Sequence, residues 1–241
     1  MKRLLLILIL SPIAHAGLLG SWILNQKNFT GQKLNPAGKA QEVPEFDTDG
    51  NLVFSSKQHI LLPEESAKKL PLQSFAIEAR VRIDQIQKWG SILSYSQDNG
   101  SYERGWILGY NGSRFSFRLS TGDRLLEVAA PESFEPGEWN HLFATYNGKK
   151  MGLYLNGRLV SSRNVTGPIV LPDIPTPFVI GAYKDKDEFF PINGRIESLQ
   201  FYDSLPTPKD LAIIAKEFSV VPFSVRPAAV SYTHLTLPTN C

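Results

Sequence analysis

The sequence contains a single cysteine, Cys241, which is also its last residue. One thiol cannot form a disulfide within the chain, and it cannot supply a multi-cysteine zinc site or a thiolate nucleophile inside a folded domain. The fold must therefore rest on an apolar core. With 42% hydrophobic and 11% aromatic residues, the composition is that of an ordinary globular protein. A folded unit of about 200 residues buries about 70% of its surface, which is enough for one sizeable core.

Histidine is also scarce, and its distribution argues against a catalytic or metal centre. Of the four histidines, His15 and His234 lie near the two ends of the chain, so only His59 and His141 fall within the predicted domain. Neither has a second histidine at the spacing of a metal-binding pair, and the sequence has no G-x-S-x-G motif of a serine hydrolase. We expect both to be strand-surface or hydrogen-bonded core residues. The sequence favours no catalytic residue and no enzymatic activity for this chain.

The chain has neither a strong charge imbalance nor an apolar run long enough to cross a bilayer. Lys and Arg together number 25 and Asp and Glu 23, a balance that gives no electrostatic footprint for nucleic acid. The first residues, MKRLLLILILSPIAHAG, are basic, then apolar, then end in Ala14-His15-Ala16, the pattern of a secretory signal peptide cleaved after Ala16. The apolar part is shorter than the ~20 residues of a membrane span. Residues 1–16 are thus predicted to direct secretion or export to the periplasm.

Most of the remaining chain alternates between apolar and polar residues. In the segment FAIEARVRI, the odd-numbered residues from Phe75 to Ile83 are apolar, and Glu78, Arg80 and Arg82 point the other way. The segment RFSFRLS, residues 114–120, repeats this pattern, which is typical of a half-buried strand. Frequent turn sequences separate these segments, so the sequence predicts an antiparallel sandwich or barrel.

The segment GEWNHLFATYNGKKMGLYLNGRLV, residues 137–160, illustrates how much of the chain is scaffold. Trp139 to Tyr146 is apolar on both faces and is predicted to be a central strand, and Asn156-Gly157 suits a two-residue type I′ turn because both turn residues need φ > 0. The one predicted helix comes late, in LPTPKDLAIIAKEF. There Thr207 can cap the N-terminus and Pro208 suits the first helical position. Its apolar stripe is expected to pack on an edge of the sandwich.

Four segments, in this order, carry a resemblance to a known family: FAIEARVRI, GEWNHLFATYNG followed by MGLYLNGRLV, FVIGAY, and GRIESLQFYDSLPTPKDL. Together they resemble the LamG-like jelly-roll family of the concanavalin A-like lectin/glucanase superfamily, and FDTDGNLVF resembles its first core strand. The resemblance covers residues 17–218. It implies an all-β fold, a two-sheet antiparallel jelly-roll sandwich with one short C-terminal helix, and usually a non-catalytic extracellular module. A fold does not by itself fix a ligand.

One acidic segment invites a catalytic or metal-binding interpretation. Glu45, Asp47 and Asp49 are spaced by two residues, so on a strand their carboxylates would share one face, as retaining glycoside hydrolysis requires of its two carboxyls. The neighbouring Pro44 and Gly50 instead favour a solvated turn. Calcium ligation by Asp47 or Asp49 is an intermediate alternative, because Ca²⁺ needs several oxygen ligands.

Two loops mix acids, amides and aromatic residues, the side chains that usually bind sugars, and loops at the rim of a sandwich commonly display binding residues. They are SQDNGSYERGW, residues 96–106, and GAYKDKDEFFP, residues 181–191. The predicted ligand-binding residues for a glycan, or for a calcium ion, are Asp98, Asn99, Tyr102, Tyr183, Asp185 and Asp187. The alternative is that Trp106 and Phe189 face inward and the acids are merely solvated.

The end of the sequence does not continue the pattern of the domain. Residues 219–230 read as a linker or the start of a truncated second domain, and residues 231–241 resemble a non-native, translated adapter sequence. The chain is therefore expected to be the N-terminal module of a longer bacterial secreted protein. Its predicted function is recognition of a carbohydrate or a cell surface. The alternatives are an accessory domain of a secreted hydrolase such as a metallophosphoesterase, and a structural spacer.

Overall fold

The computed structural model describes residues 17–55 and 57–219. They are built around two antiparallel β-sheets, whose strands are numbered in chain order. Within these residues the first sheet has seven strands. In spatial order they are β1 (Leu18–Ile23), β18 (Gly194–Tyr202), β7 (Phe75–Ile83), β12 (Trp139–Tyr146), β13 (Lys150–Leu155) and β14 (Arg158–Asn164), with β5 (Val53–Phe54) paired to β18.

The second sheet has nine strands within the same described residues. In spatial order they are β11 (Leu125–Ala129), β10 (Arg114–Ser120), β9 (Tyr102–Asn111), β8 (Trp89–Asn99), β15 (Phe178–Ile180), β6 (Ile60–Leu62), β4 (Lys39–Ala40), β3 (Lys33–Leu34) and β2 (Phe29–Thr30). A separate hairpin is formed by β16 (Ala182–Lys184) and β17 (Phe189–Pro191). The predicted all-β jelly-roll sandwich is confirmed.

The core lies between the two sheets and follows the predicted alternation. The odd-numbered side chains of β7, from Phe75 to Ile83, are all buried in it, and Phe115, Phe117 and Leu119 of β10 meet them from the second sheet. In β10 the even-numbered side chains therefore lie on the outer face of the nine-stranded sheet. The candidate site described next lies on this face.

The segment at residues 137–160 is scaffold, as predicted. Strand β12 lies between β7 and β13, and β13 returns into β14 through a two-residue turn. Both turn residues have positive φ, 51° for Asn156 and 78° for Gly157, as a type I′ turn requires.

The late helix α2 (Pro208–Ser219) also forms as predicted, with its N-terminus capped by Thr207. The Thr207 Oγ1 hydroxyl donates to Asp210 Oδ2 at 2.6 Å and accepts from the Asp210 backbone N–H at 3.3 Å, which satisfies a helix donor that has no intrahelical partner. The predicted packing was wrong in one respect. Ile214 packs against Ala76 and Phe143 on the outer face of the seven-stranded sheet, and not on a sandwich edge.

Two features of the described residues differ from what the sequence predicted. A short helix, α1 (Glu64–Lys68), was not predicted. The first strand of the seven-stranded sheet is β1, whereas FDTDGNLVF forms a turn leading into the two-residue strand β5.

The predicted signal peptide at residues 1–16 and the predicted tail at 231–241 lie outside the described residues, as does nearly all of the predicted linker. No helix in the described part of the chain combines the length and apolar character needed to cross a membrane.

Candidate functional site on the outer face of the nine-stranded sheet

Strand register brings two charged side chains, Arg118 and Asp98, onto one surface. Arg118 of β10 pairs with Ile107 and lies between the inward-facing Phe117 and Leu119, so its side chain points away from the core. In the same sheet Asp98 of β8 pairs with Glu103. Asp98 follows the core residue Tyr95 by three positions, so alternation along the strand places its side chain on the outer face. The surface formed by Trp89, Asp98, Arg118 and the hairpin of β16 and β17 is called the outer-face site below.

Arg118 is the centre of the outer-face site. Its guanidinium carbon lies 5.1 Å from the centroid of the Trp89 ring, in the range of a cation–π interaction. Its two ion pairs are long, 4.0 Å from Nη1 to Asp98 Oδ2 and 3.9 Å from Nε to Glu127 Oε1, so neither is a hydrogen bond. The buried Nε has no hydrogen-bond partner among the described residues. A guanidinium has five donors in a planar fork, and here that fork is only loosely engaged.

The hairpin of β16 and β17 lies against β8 and completes the site. Ser94 Oγ of β8 donates to the carbonyl of Ala182 at 2.9 Å. The Tyr183 hydroxyl accepts from the Asp98 backbone N–H at 2.9 Å and donates to Asp185 Oδ2 at 2.5 Å. The other oxygen of Asp185 accepts from the backbone N–H of Glu188 at 2.7 Å, so this carboxylate holds the hairpin turn as well as the tyrosine.

Burial and neighbouring charges raise the pKa of three side chains in the site, Asp98, Glu188 and Tyr183. Burial raises the pKa of Asp98, and the charges of Glu103 and Asp185 raise it further, whereas Arg118 lowers it. Glu188 also has a raised pKa, through desolvation and then through Asp185 and Asp98. Burial and the hydrogen bond to Asp185 raise the pKa of Tyr183. At neutral pH the site therefore combines a neutral phenol and one guanidinium with several carboxylates that repel each other.

The structure divides the six predicted ligand-binding residues into two groups. Asp98, Tyr183 and Asp185 meet in the outer-face site, and Asp187 lies exposed in the hairpin turn beside them. Asn99 and Tyr102 pair with each other at the tip of the hairpin of β8 and β9 and engage other partners.

The partners of Asn99 and Tyr102 are structural. The Asn99 amide donates to Gln97 Oε1 at 2.9 Å, and the Tyr102 hydroxyl contacts the Asp173 carboxylate and accepts from the Asp173 backbone N–H at 3.0 Å. These contacts tie the hairpin to the loop before β15. A role for this pair in ligand binding stays a prediction.

Both aromatic residues of the predicted loops have contacts within the protein. Trp106 is 1% exposed and packs in the core against Phe178 and Phe201, so it cannot stack on a sugar. Phe189 is half-buried and makes an edge contact with His59 at 5.0 Å between ring centroids. The inward-facing alternative is thus correct for Trp106 and largely so for Phe189.

Sequence reasoning missed the aromatic residue that does lie in the site, Trp89. It also placed Arg118 only as an outward-facing strand residue. The alternation of RFSFRLS contained the signal for Arg118, because an arginine that points away from the core is available to a ligand. No local pattern indicates that Trp89, on a different strand, lies beneath it.

The acidic segment at residues 45–49 does not form a strand face. Asp47 Oδ1 accepts from the backbone N–H groups of Asp49 and Asn51 at 3.0 and 2.9 Å, and Oδ2 accepts from Arg195 Nε at 3.3 Å. Burial acts to raise the pKa of Asp47, but the hydrogen bonds outweigh it and hold this pKa below its usual range. The segment is a turn that leads into β5, so the three carboxylates are not aligned as hydrolysis would require.

The same contacts leave few free carboxylate oxygens to ligate a calcium ion at Asp47 or Asp49. Both oxygens of Asp47 are already engaged. Within residues 17–55 and 57–219, no group of three or more His, Cys, Asp and Glu side chains is arranged to hold a metal ion. The contacts in this segment therefore do not support calcium ligation by Asp47 or Asp49.

The two histidines of the domain are buried and structurally engaged. His141 Nε2 lies 2.7 Å from Glu78 Oε1, and Tyr202 donates to the other oxygen of Glu78 at 2.6 Å. His59 Nδ1 lies 2.9 Å from the Lys57 carbonyl, and burial lowers its pKa. Each histidine is thus a core residue with one ring nitrogen in a hydrogen bond, and the buried His141 Nδ1 has no partner among the described residues.

Comparison with known families agrees with the architecture. The laminin G family model described as concanavalin A-like lectin/glucanases superfamily matches residues 54–212, more than half of the chain. The chain therefore belongs to the concanavalin A-like lectin/glucanase superfamily. Its resemblance to LamG-like jelly-roll domains is thus confirmed at the level of the family.

Two curated relatives share part of the sequence. Pappalysin-1 of Mus musculus is 31% identical over 118 residues, which cover 43% of this chain, and pappalysin-1 of Homo sapiens is 32% identical over 108 residues, which cover 39%. The aligned region spans only 7% of the length of either relative.

Solved structures show the same fold at low identity. Domain 4 of AbnA, a GH43 extracellular arabinanase from Geobacillus stearothermophilus in complex with arabinotriose, has a TM-score of 0.58 at 15% identity, covering 83% of this chain and 98% of that one. The Ruminococcus gnavus IT-sialidase CBM40 bound to α2,3 sialyllactose has a TM-score of 0.57 at 18% identity, covering 71% and 97%. At this level of identity the similarities establish the fold alone and do not identify a ligand or a function.

Proposed function

We propose that this chain is a non-catalytic, extracellular carbohydrate-binding module and that the outer-face site holds the glycan. The observation that carries the proposal is Arg118, whose guanidinium is stacked on Trp89 beside Asp98 but has only long ion pairs with its carboxylate neighbours. A guanidinium with weakly engaged N–H donors, next to a carboxylate acceptor, is suited to a ligand that both accepts and donates hydrogen bonds.

Sugar hydroxyls have this property, because each can donate and accept. A hydroxyl placed between Arg118 and Asp98 would accept from the guanidinium and donate to the carboxylate, and both would be charge-assisted hydrogen bonds. The Arg118 guanidinium, which lies over the Trp89 ring, offers a planar surface to the C–H face of a sugar. Tyr183 and Asp185 hold the adjoining hairpin in place.

The relatives support this proposal. Two of the solved neighbours are described with bound oligosaccharides, arabinotriose and sialyllactose, and the arabinanase neighbour is described as extracellular. The predicted signal peptide at residues 1–16 agrees with secretion. Because the arabinanase neighbour is one domain of a hydrolase, we favour an accessory role beside a catalytic domain over that of a structural spacer.

The test combines a glycan screen with substitutions that preserve size. The full chain is screened on an oligosaccharide array, and hits are measured by calorimetry with Arg118→Lys and Asp98→Asn. Arg118→Lys keeps the charge but loses the planar fork, so we expect at least about a tenfold loss of affinity, which corresponds to about 1.4 kcal/mol. Arg163→Lys, on the exposed edge strand β14 of the other sheet, is the matched control and should bind like the wild type.

Three results would contradict the proposal in different ways. Absence of binding to every glycan would favour the spacer alternative. Unchanged binding by both site variants would place the ligand elsewhere on the domain. Release of reducing ends from a bound oligosaccharide by the wild type would show that the chain is catalytic after all.

A further inference from the structure

The charge of the outer-face site points to the kind of glycan it accepts, an inference that rests on the proposed function. Around Arg118 the described residues place carboxylates on three strands and on the hairpin turn. They are Asp98, Glu103, Glu127, Asp185, Asp187 and Glu188.

These carboxylates are not neutralised by nearby cations. Lys184 Nζ lies 5.4 Å from the centroid of the Phe189 ring and lowers the pKa of His59, which places its charge on the other side of the hairpin from Tyr183. Lys186 is exposed in the turn. Around Asp98 and the hairpin, six carboxylates therefore face three cations, Arg118 and the two lysines, and this part of the surface is negative. The next cation on the face, Arg114 of β10, lies at the Trp89 end of the site, in register with Asn111.

The carboxylates also influence each other directly. The Tyr183 hydroxyl links Asp185 Oδ2 to the backbone N–H of Asp98, so the two carboxylates lie close together. Burial raises the pKa of Asp98 and Glu188, and the charge of Asp185 raises both further. An anionic group brought to Arg118 would therefore meet this repulsion at close range. Like charges brought together in a partly desolvated site cost free energy and act against the wrong ligand.

We propose that the outer-face site selects glycans without carboxylate or sulfate groups and discriminates against sialylated and uronic-acid sugars. Arg118 acts as a hydrogen-bond donor to hydroxyls, and the surrounding carboxylates prevent it from acting as an anion receptor. The specificity comes from these six carboxylates, called the acidic rim, whose exposed members are Glu127 on β11 and Asp187 and Glu188 in the hairpin turn.

The experiment uses probe pairs that differ mainly in charge. The full chain is titrated with lactose and 3′-sialyllactose, and with galactan and galacturonan oligosaccharides of equal length. We expect the uncharged member of a bound pair to bind at least about tenfold more tightly at low salt, and the ratio to shrink at 0.5 M salt because screening shortens the reach of the rim charges.

A rim variant separates charge from shape. In the double variant Asp187→Asn with Glu188→Gln, the discrimination, measured as the ratio of the affinities for the uncharged and the charged sugar, should fall several-fold. Glu217→Gln, an exposed acid on α2 over the opposite sheet, is the matched control and should leave the discrimination unchanged.

The outcomes distinguish this inference from the proposed function. If acidic sugars bind as well as or better than their uncharged counterparts, the charge inference is wrong while glycan binding stands. If the rim variant discriminates as strongly as the wild type, the acidic rim is not the cause of selectivity and the inference is overturned. If no probe and no array glycan binds, both proposals fail.

Discussion

At the residue scale, Asp98 of the proposed binding site acts against the stability of the fold. Its carboxylate is held beside Glu103 and Asp185 and is only distantly paired with Arg118, so its pKa is raised, first by burial and then by these neighbours. A raised pKa means that folding disfavours the charged form. A ligand hydroxyl that donates to Asp98 would compensate for part of this cost.

Asp98→Asn should therefore stabilise the free protein at neutral pH while it weakens glycan binding. An acid whose folded-state pKa is raised binds more protons when folded, so its contribution to stability falls as pH rises through the interval above its usual value of about 4. The gain in the free energy of unfolding should be present at pH 7 and disappear near pH 3. Urea unfolding of both proteins at the two pH values measures it. A variant less stable than the wild type at pH 7 would contradict this account of Asp98.

At the element scale, two hairpin turns with left-handed glycines differ in what surrounds them. Gly112, between β9 and β10, has φ of 57° and open space around it. Gly157, between β13 and β14, has φ of 78°, and a Cβ atom built on it would lie 2.5 Å from the backbone nitrogen of Ala215 in α2. The second turn is therefore also a packing surface for the helix.

Alanine at the two glycines should separate turn strain from helix packing. Gly112→Ala should cost about 1 kcal/mol for a left-handed non-glycine residue. Gly157→Ala should cost roughly 2–4 kcal/mol, because overpacking against α2 adds about 1–3 kcal/mol. Free energies of unfolding from urea titrations give both values. Equal losses at the two positions would show that α2 does not pack tightly on this turn.

At the scale of the whole molecule, one aromatic cluster joins the two sheets. Phe178 of the nine-stranded sheet meets Phe201 and Trp22 of the seven-stranded sheet at ring-centroid distances of 6.2 Å each, and Trp106 at 5.7 Å. These mostly edge-to-face contacts lie close to the middle of the core. No disulfide can share this task, because the sequence has one cysteine.

Phe178→Ala should therefore destabilise the whole domain by about 3–5 kcal/mol, the range for a large core aromatic. The half-buried Phe189 is the matched control, and Phe189→Ala should cost only about 1–2 kcal/mol. Thermal and urea unfolding of the two variants measure the difference. Similar losses would mean that the inter-sheet cluster is not the main source of stability.

What the sequence determined by itself are the features governed by local physics. Period-two alternation marked β7 and β10, Asn156-Gly157 marked a type I′ turn, and Thr207 marked the start of α2. Each follows from the conformational preference or side-chain direction of a few adjacent residues. The family pattern, which combines these signals in order, was sufficient for the fold.

The tertiary structure alone decided what covers each face and which distant residues meet. Alternation placed Glu78 on the outside, yet α2 lies over that face and Glu78 is 4% exposed, paired with His141. Trp89 and Arg118 meet only because their strands are aligned in register with β9 between them, and Tyr183 reaches Asp98 only because its hairpin lies against β8. A sequence period specifies the direction of a side chain, but its partners depend on strand order and on packing between residues far apart in the chain.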